Sequence, residues 1–382
     1  MAAVTWDLVI VGAGITGALL LDKVRRLRPS ARVLVVDRAA PAAGATGGSA
    51  GVCLPLADVA GRVPLVEAGT AYLAGRPRWR EAGLVRPIEA WFVLRPDTFA
   101  GFAAAWRGRP LEPVGRVALA RLREQVADLR FEPDEVVVRA ATDCYVVDAA
   151  RLTRALLDEH LAGPGIEVWE GCEVRALEPV AGGVVLTLAG GHQVRARTAA
   201  LATGGWPAPW PEAGRAPAPP VKRMVALQVD LSAGEPLPLV DFIDEQLFLL
   251  PQPRGPMTVS FRRNSFAADG ERLDTAITEA DLAEGRAALA RRSVTLAAAI
   301  TGAHAGYDGY PFDGVPTVTA SAAGRVVHVG GMGGSGVRLG PAVADRAADL
   351  LLAALHPRRD STDLGSPPAL TAARPHPSEV LR

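Results

Sequence analysis

Apolar and polar positions divide the chain into segments of two periods. Leu8-Val9-Ile10-Val11 is an uninterrupted, β-branched apolar run of the kind buried on both faces of a parallel sheet. Helical spacing follows over Ala18–Leu27, then a second β-run, Arg32–Val36, ending on Asp37. Further along, Asp148 to Leu152 with Leu156 and Leu161 predicts a helix, and Glu167–Glu173, Val184–Leu188, Val194–Arg197 and Ala199–Ala202 predict strands. Alternation predicts three more strands in Lys222–Leu231, Gln246–Pro251 and Met257–Phe261. A helix is expected from Thr278, capped with Asp281 three residues on, toward Leu296. Near the end, Val326–Val329 predicts a strand. A loop of closely placed glycines follows, then a helix with Pro341 near its start and an apolar face through Val343, Ala347, Leu350 and Leu351. The segment Pro357–Arg382 is proline-bearing without apolar periodicity, so it is expected to be mobile or to lie over the surface.

Composition narrows the function classes. The 382 residues are 49% hydrophobic and 21% charged, enough for two or three domains, or two lobes sharing one large core, and too apolar for disorder throughout. Lys+Arg and Asp+Glu both number 41, so no net field attracts nucleic acid or an anionic membrane. Only Lys23 and Lys222 among the basic residues are lysines. Cys53, Cys144 and Cys172 are too few and too scattered for a disulfide framework or a zinc site, so no metal and a reducing cytoplasm are expected. The apolar stretch Leu8–Leu21 is shorter than a bilayer span, meets Asp22 and has no basic segment before it, which predicts neither anchor nor signal peptide.

The opening segment carries specific chemistry. Gly12-Ala13-Gly14-Ile15-Thr16-Gly17 follows a strand and opens a helix, and Asp37 stands 20 residues past Gly17 at the second strand end. This is a complete βαβ dinucleotide fingerprint. Gly12 makes the tight turn, Gly14 lets the backbone approach a pyrophosphate, and Gly17 lets helix and strand pack. The helix N-terminus faces phosphate with free N–H groups, and Asp37 can accept from ribose hydroxyls. The motif alone does not separate NAD from FAD.

Between Ala40 and Pro55 a Gly/Ala-rich loop, including Thr46-Gly47-Gly48-Ser49-Ala50-Gly51, replaces an immediate second βαβ unit. Here the sequence resembles the FAD-dependent amine and amino-acid oxidoreductases, the family of D-amino-acid oxidase, glycine oxidase and monomeric sarcosine oxidase. Two further blocks match in family order: Ala199 to Trp206, whose Thr203-Gly204 closes over the cofactor, and Val326 to Pro341. Upstream of the latter, Ala305 to Pro316 is similar to the family's AG...PDGxP segment. The resemblance implies noncovalent FAD held by Gly12, Ala13, Gly14, Ile15, Thr16, Gly17, Asp37, Arg38, Ala45, Thr46, Gly48, Ser49, Gly51, Val52, Val174, Thr203 and Gly204. It adds the flavin-edge loop Gly331, Met332, Gly333, Gly334, Ser335, Gly336, Val337 and Arg338. Gly306 stands where sarcosine oxidase attaches its flavin through cysteine, and Thr258 or Val259 stands near its oxygen-activating lysine.

The implied fold class is α/β, α+β overall. A Rossmann-like FAD-binding domain (1–85, 145–210 and 318–356) is interleaved with a mainly antiparallel β-sheet substrate domain (86–144 and 211–317), followed by the tail 357–382. Four residues are candidates for the chemistry. Arg338 matches a substrate-carboxylate cation in the family, or is an ion-paired arginine at a helix start. Asp308 falls close to where glycine oxidase relatives carry a carboxylate-binding arginine, so it suits a substrate with a second cationic group or is a surface aspartate. His304 and Tyr307 are further candidates, and Trp206, Trp210, Tyr307 and Tyr310 either line the pocket or pack. Alternation lets only one of Arg262 and Arg263 face inward. The expected activity is FAD-dependent oxidation of a C–N bond of a small amine or amino acid to an imine, with reoxidation by O2. The alternatives are a flavin dehydrogenase using another electron acceptor and a flavin-fold binding protein without turnover.

Overall fold

The computed structural model describes residues 5–206, 219–231, 237–252, 255–267, 273–321 and 323–355; Trp210 and the tail lie outside them. The first apolar run becomes the strand Thr5–Val11 in the middle of an eight-stranded mixed sheet. It pairs in parallel with Val33–Val36 on one side and Gln193–Leu201 on the other. Ile166–Trp169 extends the parallel ladder beyond Val33–Val36, and Val326–Gly330 extends it beyond Gln193–Leu201. Both faces are covered, so alternate side chains enter different cores. Leu8 and Ile10 pack with the helices Ile15–Leu27, Ala149–Leu161 and Gly336–Leu355, while Val9 and Val11 join Leu34, Val36 and Leu186 on the opposite face. Each such side chain contributes about 1.5–3 kcal/mol when fully buried.

Asp22 is the polar exception inside the helical layer. Its carboxylate accepts from Arg26 at 2.9 Å, the Tyr72 hydroxyl at 3.0 Å and Arg76 at 3.4 Å, and lies 3.1 Å from His160 Nε2. Burial alone would raise this carboxyl, but hydrogen bonds from His160, Arg26 and Tyr72 hold it well below the usual range. The residue thus joins the nucleotide helix to the helices Val63–Ala74 and Ala149–Leu161.

A second eight-stranded sheet runs in the order Ile300–Gly309, Val221–Val229, Met257–Ser260, Leu247–Leu250, Leu239–Phe242, Ala90–Leu94, Val136–Ala140, Glu112–Pro113. All its pairs are antiparallel except Leu239–Phe242 with Ala90–Leu94. On one face Val225, Leu227, Val229, Leu249 and Val259 pack against Leu289 and Leu296. The other face carries Met224, Ala226, Ser260 and Phe248 toward the first lobe. A small antiparallel sheet of Val52–Cys53, Tyr145–Val147 and Val85–Pro87 lies beside these two. The large sheets alternate along the chain, and on that basis we propose the interleaved division at 85/86, 144/145, 210/211 and 317/318. No helix among the described residues is long and apolar enough to cross a membrane.

Several element boundaries differ from expectation. Val194–Arg197 and Ala199–Ala202 form one strand, Gln193–Leu201, and Glu167–Glu173 shortens to Ile166–Trp169. The capping box of Thr278 and Asp281 is present, but its helix stops at Ala290. Ser293 then caps a separate helix, Val294–Ala298, by accepting from Leu296 N at 3.0 Å. Pro341 sits in the second turn of Gly336–Leu355, because glycines that would be loop by composition, Gly336 and Gly340, are helical. Arg262 is exposed, whereas Arg263 turns inward to pair with Asp281 and, at 3.1 Å, Glu284.

Candidate active site

The site is built first from the turn after Thr5–Val11. Gly12 has φ +110°, and a Cβ there would lie 2.4 Å from the carbonyl oxygen of Ala202, so only glycine lets this turn pass under the returning strand. Gly17 rests against the Gly12 carbonyl, which seats the helix on the strand. Asp37 Oδ2 accepts from Ala13 N at 2.7 Å and Oδ1 from Ala39 N at 2.8 Å, fixing the carboxylate beside the turn with lone pairs to spare. Thr46 Oγ1 accepts from Ile15 N at 3.1 Å and ties the Gly/Ala-rich loop to the helix N-terminus. No acidic residue occupies the first turn of that helix, which leaves its positive end open to an anion.

From here a cavity of about 690 Å³ extends to the second sheet. Its nucleotide end is lined by Gly12, Gly14, Ile15, Thr16, Asp37, Arg38, Val174, Thr203 and Gly204. The loop supplies Ala45, Thr46, Gly48 and Ser49, and the late glycine segment supplies Gly331, Met332, Gly334, Gly336 and Val337. Arg38 stacks 4.2 Å from the Trp206 ring, and both line the cavity. Gly331, Gly333 and Gly334 all have positive φ, a run of left-handed backbone available only to glycine at this density. Among the expected cofactor residues, Ala13, Gly17, Gly51, Val52, Gly333, Ser335 and Arg338 do not line the cavity. Gly51 abuts the Val147 backbone, Val52 pairs with Val146, Gly333 N donates to Gly309 O at 2.9 Å, and Ser335 Oγ accepts from Arg338 at 2.9 Å.

The far wall comes from the second sheet. Register aligns His304, Ala226, Ser260 and Phe248 across four strands, and all four side chains line the cavity. Met224, Gly306 and Asp308 lie beside them. His304 Nε2 contacts the Gly48 carbonyl, so this ring docks the sheet on the Gly/Ala-rich loop and is not free to act on a substrate. Asp308 is pushed up by burial, partly offset by a hydrogen bond from the Gly334 amide.

Two expected candidates point elsewhere. The Arg338 guanidinium donates to the carbonyls of Leu54 at 3.3 Å and Leu56 at 2.9 Å, bracing that loop against the glycine segment. It is satisfied by backbone, in place of either a substrate carboxylate or an acidic partner. Tyr307 lies on the opposite face of its strand from Asp308, and its hydroxyl donates to Asp274 O at 3.0 Å and accepts from Arg223 at 3.2 Å. Tyr310 does not line the cavity itself, but its hydroxyl donates to Met224 Sδ at 3.4 Å. Lys23 pairs with Asp345 at 2.6 Å, while Lys222 Nζ lies 5.1 Å from the Tyr310 ring and 6.0 Å from that of Phe266, outside the cavity lining. Cys53 and Cys144 are buried thiols pushed up to about 12, unsuited to nucleophilic work.

The sequence reading missed the wall residues Met224, Ala226, Phe248 and Ser260, and Glu173 and Arg175 flanking Val174. Alternation in Lys222–Leu231 and Met257–Phe261 held the signal for Met224, Ala226 and Ser260; which face met the cavity was not readable from it.

The sequence profile of the family described as FAD dependent oxidoreductase matches residues 7–350. The chain belongs to this family. The fold of this FAD dependent oxidoreductase is shared with glycine oxidase from Geobacillus kaustophilus (TM-score 0.74, 18% identity, 91% of this chain and 95% of that one). L-proline dehydrogenase from P. horikoshii aligns with TM-score 0.75 at 17% identity over 91% and 94% of the two chains. A mutant of NikD, an unusual amino acid oxidase essential for nikkomycin biosynthesis, aligns with TM-score 0.74 at 18% identity over 97% and 99%. No curated protein sequence matches the chain.

FAD fits the residues of this FAD dependent oxidoreductase. The Gly12 turn leaves no room for a side chain, the helix N-terminus is open, Asp37 presents free lone pairs, and one continuous cavity reaches from them to the second sheet. Gly12, Gly14, Thr16 and Thr46 would hold the pyrophosphate, Asp37 the ribose, and Met332, Gly334 and Gly336 the flavin edge.

Proposed function

We propose that this FAD dependent oxidoreductase oxidises a C–N bond of a small amine or amino acid. When bound, FAD would supply the acceptor for a hydride from the carbon next to nitrogen. The nitrogen loses its proton, a C=N bond forms, and water hydrolyses the product to a carbonyl compound and an amine. O2 would be the final acceptor of the two electrons, giving hydrogen peroxide. The chain's own part is positioning: the second sheet presents Met224, Ala226, Ser260 and Phe248 as a mostly apolar wall that excludes water, and His304 locks that wall to the loop at Gly48. The observation that carries the reading is this wall, which closes the same cavity whose other end is the dinucleotide turn. The small-molecule substrate needs no nucleic acid, membrane or metal partner, and we place the enzyme in the cytoplasm, where Cys53, Cys144 and Cys172 stay free. Noncovalent attachment is supported by Gly306 in the wall, with Cys172 the one cysteine lining the described cavity, beside Glu173 and Val174 at its nucleotide end.

One observation favours transfer to an acceptor other than O2. Lys222 points at aromatic rings and Thr258 and Val259 carry no charge, so among the described residues no ammonium faces the flavin end. Anaerobic addition of an amine and amino-acid panel to the yellow holoprotein, followed by air, tests both readings. Bleaching with rapid recovery in air supports the oxidase, and slow recovery the dehydrogenase. A flavin that no member of the panel bleaches refutes C–N oxidation and leaves a binding protein.

A further inference from the structure

The charges at the two ends of the cavity differ in a way that bears on the substrate. At the nucleotide end Asp37 and Glu173 are offset by Arg38 and Arg175, and Glu173 pairs with Arg175 at 2.7 Å. At the substrate wall the ionisable lining groups among the described residues are His304, engaged by Gly48, and Asp308. Among the described residues no guanidinium or ammonium lines that end. Arg338 is satisfied by Leu54 and Leu56, and Arg62, next to the glycine segment, pairs with Asp58 at 2.9 Å and donates to Gly314 O. Lys222 stands directly opposite Asp308 in the ladder, so both share a face, yet its Nζ lies over Tyr310 and forms no ion pair among those described. Among the described residues Asp308 is therefore a carboxylate facing the cavity with the Gly334 amide as its partner.

A carboxylate in that position repels a substrate carboxylate and attracts a cation, with more force than in water because the site is partly desolvated. The next residue on the same face, Gly306, has no side chain, and Met224 opposite it is apolar. A ligand anchored at Asp308 thus has an open apolar track of one two-residue strand step, about 7 Å, toward His304 and Ala226.

We infer that Asp308 is a specificity residue that anchors a second, permanently protonated nitrogen of the substrate, so that the preferred substrate class is a short aliphatic diamine in place of an α-amino acid. This rests on the C–N oxidation reading for the fate of the other nitrogen, which must reach the flavin uncharged. The protonated nitrogen takes no part in bond making or breaking.

The test uses full-length, FAD-loaded protein at pH 8, with flavin absorbance read for binding in the oxidised state and for bleaching without oxygen. Probes are 1,4-diaminobutane, butylamine and 4-aminobutanoate, which share a four-carbon chain and differ in the distal group. The wild type is expected to bind the diamine at least tenfold more tightly than butylamine, equivalent to about 1.4 kcal/mol, and 4-aminobutanoate more weakly than either. In Asp308→Asn, which keeps an acceptor for the Gly334 amide, the preference for diamine over butylamine falls to within twofold. Asp308→Glu restores at least part of it. FAD content and melting temperature show that each variant is folded and loaded. Equal binding of the three probes, tighter binding of 4-aminobutanoate, or an undiminished diamine preference in Asp308→Asn overturns the inference. If amines bleach the flavin without this discrimination, C–N oxidation stands and the role of Asp308 falls. Diamine binding that depends on Asp308 but never bleaches leaves the anchor standing and removes C–N oxidation.

Discussion

Asp241 gives the sharpest test of the electrostatics of the second sheet. It stands opposite Phe248 on one neighbouring strand and Phe92 on the other, and no hydrogen bond or ion pair reaches its carboxylate among the described residues. Burial alone pushes its carboxyl up to about 7 from an ordinary 3.8. A carboxyl raised in the folded state binds its proton more tightly there than in the unfolded chain, so folding is less favourable once both states are ionised. The loss starts as pH rises past the unfolded value near 4 and is complete above about 7. At 1.36 kcal/mol per pH unit the full gap is worth roughly 4 kcal/mol, and part-exposure of the residue brings this nearer to 2 kcal/mol. Asp241→Asn keeps the shape and removes the ionisation. The variant should exceed the wild type by roughly 1–2 kcal/mol at pH 5, where mainly the unfolded chain is ionised, and by roughly 2–4 kcal/mol at pH 8.5, where both states are. Melting of the FAD-loaded protein, followed by release of flavin fluorescence at both pH values, measures the difference. A gain of equal size at pH 5 and 8.5, or a loss that grows with pH, would refute the reasoning, the latter by showing that the ionised carboxylate has a stabilising partner.

The remaining predictions concern single contacts. Replacing His304 by Ala removes the clamp on Gly48 and should weaken FAD binding roughly tenfold, a loss of about 1.4 kcal/mol read by flavin titration of the apoprotein; unchanged FAD affinity would show that the clamp is idle. Arg338→Met frees the carbonyls of Leu54 and Leu56 and should lower the melting temperature while leaving the order of substrate preference intact. A selective loss of carboxylate-bearing ligands would instead return Arg338 to the substrate. Asp281 accepts from Arg223 at 2.8 Å and also bonds Arg263, so Asp281→Ala should cost about 1–3 kcal/mol in urea unfolding by removing the acceptor shared by two part-buried guanidiniums, which keep only their weaker partners such as Glu284 and Tyr307. Although burial alone would raise it, hydrogen bonds from Arg223 and Thr278 hold the Asp281 carboxyl well below the usual range. Its stabilisation is therefore present above the unfolded value near 4 and fades as pH falls below it, and a wild type whose stability stays flat from pH 5 to pH 2 would contradict this.

The nucleotide half was legible because its signals are local. A strand, three glycines and an acid lie within 33 residues of one another, and the same residues meet in space. The late glycine segment was legible for the same reason. The far wall of the cavity was not, since His304, Ala226, Ser260 and Phe248 come from four strands whose register depends on pairing across up to about 80 residues. Arg338 shows the other limit. A sequence places an arginine beside a glycine loop, but the direction of its guanidinium was decided by the carbonyls of Leu54 and Leu56, more than 280 residues away. Asp308 against Tyr307 was decided by strand alternation, which neighbouring glycines hid because Gly306 and Gly309 carry no hydrophobic signal.

The central strand Thr5–Val11 has its second parallel neighbour in Gln193–Leu201, and the sheet is completed only by Val326–Gly330. A ribosome emits about 5–20 residues per second, so the first strand waits on the order of 10–40 s for one partner and longer for the last. During that interval an apolar strand edge stands open to other chains, and the dinucleotide turn has no Ala202 above it. The nascent protein therefore passes much of its synthesis without the strands that close its nucleotide turn, so that half of the fold assembles late.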